Sequence, residues 1–402
     1  MRVTADRSLA PNRRPAHYCP SEDSSLFTPV EDTSRLPNEA DPAVIAALPK
    51  DRWLLASLLQ KTIRRGRVDL ATAASALLAD LVPEYVARRL PVIAYEDIGV
   101  AAPDLLLWTK RTSASLPSLC IDDRRETAAR IAFRLAESVK SRTACDIISL
   151  LNAADETPAL ARELVHGATE RWIAAAANRA LPVIHRAVAL HFALGLSVCR
   201  FRPSRSLTTQ QSALPALAAI MNLPDSVVAA VCAGSQTHNL HAALPLAHDL
   251  LHTGAQPTIK AQSRVARTNA ESLGMLLCAV DMYTRCGRNA YQRLIRENAV
   301  LRRLLQNVAN SADPVAVVGM LLFHAEGSLL DRALVSPATM DLLAAIEAVE
   351  ARRIGFQQDS DAEPVRQWLR DNIDVVEHHR TQALAQYLHR EASVPSDRVG
   401  AG

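Results

Sequence analysis

From Asp41 almost to the C-terminus, apolar side chains recur three and four positions apart with hardly a break, and only helices satisfy that spacing over such a length. Trp53, Leu54, Leu58 and Leu59 form one such stripe, and comparable ones follow to about residue 390. Alanine and leucine, both strong helix formers, supply most of the pattern. Strands need Val, Ile and aromatic residues in alternation, whereas only 4% of the 402 residues are aromatic and few alternating runs occur. The expectation is an all-α, multi-helix array.

Punctuation along the chain sets the elements. Asp41-Pro42 reads as an Asp N-cap with proline at the first helical position, and Pro83, Pro224-Asp225 and Asp313-Pro314 repeat the signal. Predicted helices include 42–48, 51–65, 68–80, 83–96, 102–111, 124–138, 140–152, 157–178 and 181–197. Further along they include 208–221, 224–233, 244–252, 261–285, 288–309, 313–323, 326–333, 337–355, 362–371 and 373–390. Residues 1–40, with Pro11, Pro15, Pro20, Pro29 and Pro37 and no helical period, are expected to form a flexible tail. Helical domains are expected over 41–155 and 156–355, and a terminal helical pair with a frayed tail over 356–402.

Composition excludes other classes. A 49% hydrophobic chain with 22% charged residues and a net charge of +3 has the material for a core and is not disordered overall. The longest apolar stretch, Leu181 to Cys199, is interrupted by His185, Arg186 and His191, so no membrane span is expected. Arg2, Arg7, Arg13 and Arg14 precede no apolar segment of the secretory kind. The seven scattered cysteines lack any C-x-x-C pair and read as buried hydrophobes in a reducing compartment. The expected setting is cytoplasmic. No G-x-x-x-x-G-K-[ST], G-x-G-x-x-G or G-x-S-x-G occurs, so the chain is expected to be non-enzymatic and to carry no cofactor.

Two basic runs and one histidine cluster remain. Residues 51–67 place Lys61, Arg64, Arg65 and Arg67 at the end of an amphipathic helix. Residues 285–303 carry Arg285, Arg288, Arg293, Arg296, Arg302 and Arg303. Either run could bind phosphates through charge neutralisation; a solvated helix face, or ion pairing with Glu96, Asp97 or Glu297, accounts for the same residues. Only five of the 45 basic residues are lysine, which suits phosphate recognition or follows from genomic base composition. His241, His248 and His252 would share a helix face, close to His238, and are weak metal-ligand candidates. Pro245 interrupts that face, and no H-E-x-x-H pattern supports it. A metal-dependent helical enzyme built on this cluster, and a protein adaptor without DNA contact, are the alternatives.

Residues 53–110 carry a more specific pattern. The run LLASLLQKTIRRGRVDLATAASALLAD is followed by VPEYVARRLPVIAYEDIGVAAPD and then LLLWTK, with VKSRTACDII further on. This stretch, about 50–152, resembles the C-terminal helical region of the replication-associated recombination protein A family. That family comprises clamp-loader-like AAA+ ATPases, with the Werner-helicase-interacting ATPase as its eukaryotic relative. Tyr85, Val86, Ala87, Arg88, Arg89, Ala94, Glu96, Asp97, Gly99 and Pro103 match its pattern, as do Lys140 and Ser141, while Arg142 replaces an asparagine. The resemblance implies a collar-like helical domain, homotetramer formation, and work at DNA alongside an ATPase. About 50 residues precede the match, so the ATPase domain itself is expected to be absent and a partner ATPase to supply it. Read from the residues alone, Gly99 stands where a helix C-cap belongs. Arg88 and Arg89 lie two turns before Glu96 and Asp97, so a contact between them needs a bend or a partner helix. The group therefore reads as an inter-helix or inter-subunit anchor. The expected function is a helical oligomerisation scaffold of DNA replication or recombination maintenance.

Overall fold

The computed structural model describes residues 40–203, 223, 225–234, 256–258, 270–308, 312–327 and 329–393, all within one compact unit that spans Leu36–Gly402. The fold is an all-α multi-helix array. Helices α1 (Pro42–Ala47), α2 (Arg52–Arg64), α3 (Val68–Leu81), α4 (Pro83–Ile93), α5 (Pro103–Ala114), α6 (Ile121–Glu137) and α7 (Thr143–Ala153) come first. They are followed by α8 (Thr157–Leu164), α9 (Thr169–Ala177), α10 (Val183–Ala193) and α11 (Asp225–Gly234). The last third supplies α12 (Arg285–Glu297), α13 (Ala299–Leu304), α14 (Pro314–Gly327), α15 (Pro337–Arg353), α16 (Asp359–Asp371) and α17 (Ile373–Ala392). Among the described residues, strands are limited to pieces of two or three residues. β1 (Gln256–Thr258) pairs antiparallel with β4 (Ala333–Val335), and β2 (Glu271–Ser272) with β3 (Met275–Leu276).

The caps act as their residue types dictate. The Asp41 carboxylate accepts from the Ala43 N–H at 2.8 Å, and Asp51 accepts from Trp53 and Leu54 at 2.9 and 2.8 Å. Pro83 and Pro314 open α4 and α14 at positions where a missing N–H loses nothing.

Four helix expectations are corrected. The span 157–178 splits into α8 and α9 around Gly167. Residues 288–309 begin earlier, at Arg285, and break at Asn298, whose side chain caps α13 by accepting from Leu301 N–H at 2.9 Å. Within 261–285, the described residues from 270 form the β2–β3 hairpin and a 3-10 turn, with Leu273 and Gly274 both at positive φ. Within 326–333, α14 ends at Gly327, and the chain runs into β4 through Arg332, also at positive φ. The predicted helices 208–221 and 244–252, the tail 1–39 and residues 394–402 lie outside the described residues.

Two apolar cores result. The first gathers α2, α3, α6 and α10 with Leu90, Ile93, Trp172 and Val231, and also takes in Met275, Leu276, Cys278, Ala279, Val280 and Cys286. It runs across residue 155 without a division there. The second gathers Tyr291, Leu294, Leu301, Val318, Leu322, Val365 and Val376 from α12 to α17. Helices α3 and α6 pack together, α12 packs on α17, and α15 returns to lie on α7. A polar junction lies where the end of α14 meets α2 and the start of α7.

Candidate functional site: a buried arginine–carboxylate junction

Helix α2 has no solvated side at its C-terminal end. Leu54, Leu55, Leu58, Leu59 and Ile63 are buried, and so are Lys61, Arg64 and Arg65, at 4%, 2% and 8% exposure. A buried cation needs a partner, and each of these three has one. The Lys61 ammonium pairs with Asp281, which also accepts from Ser57 Oγ at 3.1 Å. Arg64 grips Asp97 with a two-pronged contact, Nε to Oδ1 at 2.9 Å and Nη2 to Oδ2 at 3.3 Å. Arg65 Nη2 donates to the Glu326 carbonyl at 3.0 Å. The expected solvated basic face is therefore corrected: the ion-pairing alternative holds for Arg64, with Asp97 as its partner. Arg67 is half-buried and pairs with Asp69 and with Glu271 of β2.

Local sequence explains how Asp97 reaches Arg64. Pro91, inside α4, has no N–H to give, and the helix widens after it into a π turn over Ala94–Ile98. Gly99 closes that turn with its N–H on the Ala94 carbonyl, at φ +52°, a conformation that suits glycine. A Cβ there would stand 2.6 Å from the Ser141 carbonyl. The turn carries Asp97 fully inside, and its carbonyl accepts from Ser141 N–H at 3.0 Å. Arg142, from the start of α7, puts Nε 3.3 Å from Asp97 Oδ1.

The separation between Arg89 and the two acids is bridged by a partner helix in the same chain. Gln60 of α2 donates to Glu96 at 2.9 Å and to Asp97 at 3.0 Å, and its carbonyl oxygen accepts from Arg89. Gln60 thus ties Arg89, Glu96 and Asp97 across two helices, with Gly99 closing the turn, whereas Arg88 is exposed.

The last third of the chain completes the junction. Helix α14 ends against it: Arg142 Nη1 donates to the Gly327 carbonyl at 3.0 Å, beside the Arg65–Glu326 contact. Helix ends leave carbonyls without partners and a partial negative charge, so guanidiniums are suited to that place. The Glu326 carboxylate, 1% exposed, turns the other way and takes Arg380 of α17 at 2.6 and 3.1 Å. Arg380 also donates to Tyr291 at 2.7 Å. Next to the junction, Lys140 is fully buried and its ammonium caps α6 through the Ala136 and Ser138 carbonyls.

These surroundings divide the titrating groups. Burial opposes ionisation of Asp97, but Arg64 and Arg142 outweigh it and hold the carboxyl below its usual range. Glu96 moves the opposite way, raised by burial and by the charge of Asp97. Asp146 is raised by burial too. Arg64 is lowered by burial despite Asp97, with Arg142 and Arg65 adding to the effect. Burial pushes the Cys145 thiol up to about 12 and the Lys140 ammonium down to about 8. Asp97 has both oxygens engaged and Cys145 stays a neutral thiol, so the junction binds helices and orders charge.

The second basic run is built differently. Helix α12 buries Cys286, Ala290, Tyr291 and Leu294 and turns Arg285, Arg288 and Arg296 to solvent. Arg288 reaches Asp313 at 3.2 Å, Arg296 reaches Glu297 at 2.9 Å, and half-buried Arg293 meets Gln386. His241, His248 and His252, with His238, lie outside the described residues. Among the described residues, no group of three His, Cys, Asp or Glu side chains is placed to hold a metal ion, and no helix is long and apolar enough to cross a membrane.

Sequence reading missed Gln60, Asp146, Asp281, Gly327 and Arg380 as members of the junction. One signal was available: five apolar positions on adjacent faces of α2 leave little of its circumference for a wet side. Set beside known families, residues 73–149 match the model described as MgsA AAA+ ATPase C terminal, consistent with a C-terminal helical region of that family. The match covers α4 to α6 and most of α3 and α7, including the turn that carries Glu96, Asp97 and Gly99. No curated protein and no solved structure matches the chain.

Proposed function

We propose that this chain is a non-enzymatic helical scaffold of DNA replication or recombination maintenance. It self-associates through its collar-like segment, to a tetramer by analogy, and works beside a partner AAA+ ATPase in the cytoplasm. The observation that carries the reading is the match of residues 73–149 to the C-terminal region of an AAA+ ATPase. Two features support it. The matched segment is fixed by contacts to α2 and to the end of α14, as a rigid assembly platform requires. The solvent-facing guanidiniums of Arg285, Arg288 and Arg296 on α12 suit phosphate contact on one side of the molecule.

Native mass by light scattering tests the assembly. The expected result is a multiple of 43.7 kDa that falls when exposed Arg88 is replaced by Glu. A monomer across the micromolar range would remove self-association from the reading. Fluorescence anisotropy with a forked DNA, over about 50 to 200 mM salt, tests the second part. Saturable binding with a steep salt slope supports it, and no binding at the lowest salt excludes it.

A further inference from the structure

Around the end of α14 the buried N–H donors outnumber their acceptors. A guanidinium carries five N–H groups and no acceptor. Arg64 directs Nε and Nη2 at Asp97, which leaves Nη1 buried without a partner. Arg65 uses Nη2 on the Glu326 carbonyl and leaves Nε and Nη1 buried and unpaired. Arg142 uses Nη1 on Gly327, and its Nε, though 3.3 Å from Asp97, makes no hydrogen bond. Buried donors in native proteins are almost always satisfied, so a group of orphans marks an occupant.

The three side chains converge on one spot. Arg65 and Arg142 bond the carbonyls of adjacent residues, Glu326 and Gly327. A Cβ on Gly327 would stand 2.8 Å from Arg142 Nη1, so this glycine lets Arg142 close on the helix end, with Arg64 Nη1 in ordinary contact at 3.6 Å. Charge narrows the occupant further. Among the described residues, Asp97 is the one carboxylate to which any of the three guanidiniums hydrogen-bonds, and Arg65 and Arg142 donate only to neutral backbone carbonyls. Water would satisfy the donors and leave the charge; an oxyanion answers both.

We propose that Arg64, Arg65 and Arg142 hold a small oxyanion of the phosphate or sulfate class beside Gly327. Arg64 and Arg65 are 2% and 8% exposed, so the group is compact, either a free ion or the terminal phosphate of a mononucleotide. The Arg142 side chain, 16% exposed, marks the side from which it enters. The site stands apart from the DNA and assembly reading and holds whether or not that reading does.

The experiment uses the full chain, with ionic strength held constant by sodium chloride. Equilibrium dialysis against labelled inorganic phosphate is run beside thermal unfolding in phosphate, sulfate and chloride. The expected result is one retained phosphate per chain and a saturating rise in Tm with phosphate and sulfate but not chloride. Arg142→Gln, at the outer edge, and Gly327→Ala, which crowds the Arg142 guanidinium, are each expected to weaken phosphate binding about tenfold or more. Circular dichroism checks that their helix content is kept. AMP separates the two sources: competition with phosphate identifies a nucleotide's terminal phosphate, and no competition identifies the free ion. No retained phosphate in the parent chain, or full retention in both variants, overturns the proposal.

Discussion

Helix α2 ends inside the molecule and helix α12 runs along its surface, yet each carries a cluster of cations on its polar residues. The difference lies in where the acids come from. Lys61 and Arg64 meet carboxylates from other elements, Asp281 and Asp97, while Arg65 meets the carbonyl end of α14. The α12 arginines find Glu297 next door and Asp313 in a nearby loop, both exposed to water. In the first setting, charge fixes how helices sit against one another. In the second, the same residue type is screened, replaceable and free to meet a partner from outside.

The largest effect that would break this contrast is at Asp97. Asp97→Asn leaves Arg64 buried without its counter-charge, and chemical denaturation is expected to show a loss of about 3 to 5 kcal/mol. A loss below about 1 kcal/mol would place the junction with surface pairs.

Next comes Lys140, whose ammonium is depressed from 10.5 to about 8 by burial. Between those values the unfolded chain binds more protons than the folded one, so stability rises as pH is raised through the window and the penalty stands in full below it. That depression corresponds to about 3 kcal/mol. Unfolding measured from pH 7.5 to 10.5 for the parent and Lys140→Met should diverge accordingly, with the rise absent from the variant.

Glu96 gives an opposite dependence. Its carboxyl is raised by burial and by Asp97, so the folded chain holds the extra proton and stability falls as pH climbs from 4.5 through the folded value. Glu96→Gln keeps the neutral shape beside Gln60 and is expected to flatten that decline in pH-dependent denaturation.

The smallest effects belong to α12. Arg288→Ala and Arg296→Ala should each change stability by less than about 0.5 kcal/mol. If they contact phosphates, each should lower the salt slope of DNA binding by about one. A stability loss at Arg288 comparable with that at Asp97 would end the contrast between the two helices.

Much of the local structure was legible in the residues. Asp41 before Pro42, Pro83 and Pro314 mark helix starts through chemistry confined to a few positions, and Gly99 closes its turn as its place after an acidic pair suggested. Arg89, Glu96 and Asp97 read as an anchor, and they are tied across helices through Gln60. What stayed hidden was long-range. Asp281 lies 220 positions from Lys61, and Glu326 lies 261 from Arg65, distances over which helical period carries no information. The hairpin at 271–276 was hidden for a different reason. The apolar run from Met275 to Val280 fits either period, and the reversal depends on two consecutive residues at positive φ, Leu273 and Gly274.

The reach of those contacts has a consequence for how the molecule is made. A ribosome delivers α2 through α11 long before Asp281, and Glu326 later still. Until then the nascent helices hold Lys61 and Arg65 with no counterpart, and the first core waits for Met275, Leu276 and Cys286 to fill it. Closure is therefore a late event set by the chain's final third, and the unfinished protein keeps its cationic seam open to whatever acidic or phosphorylated molecule is near.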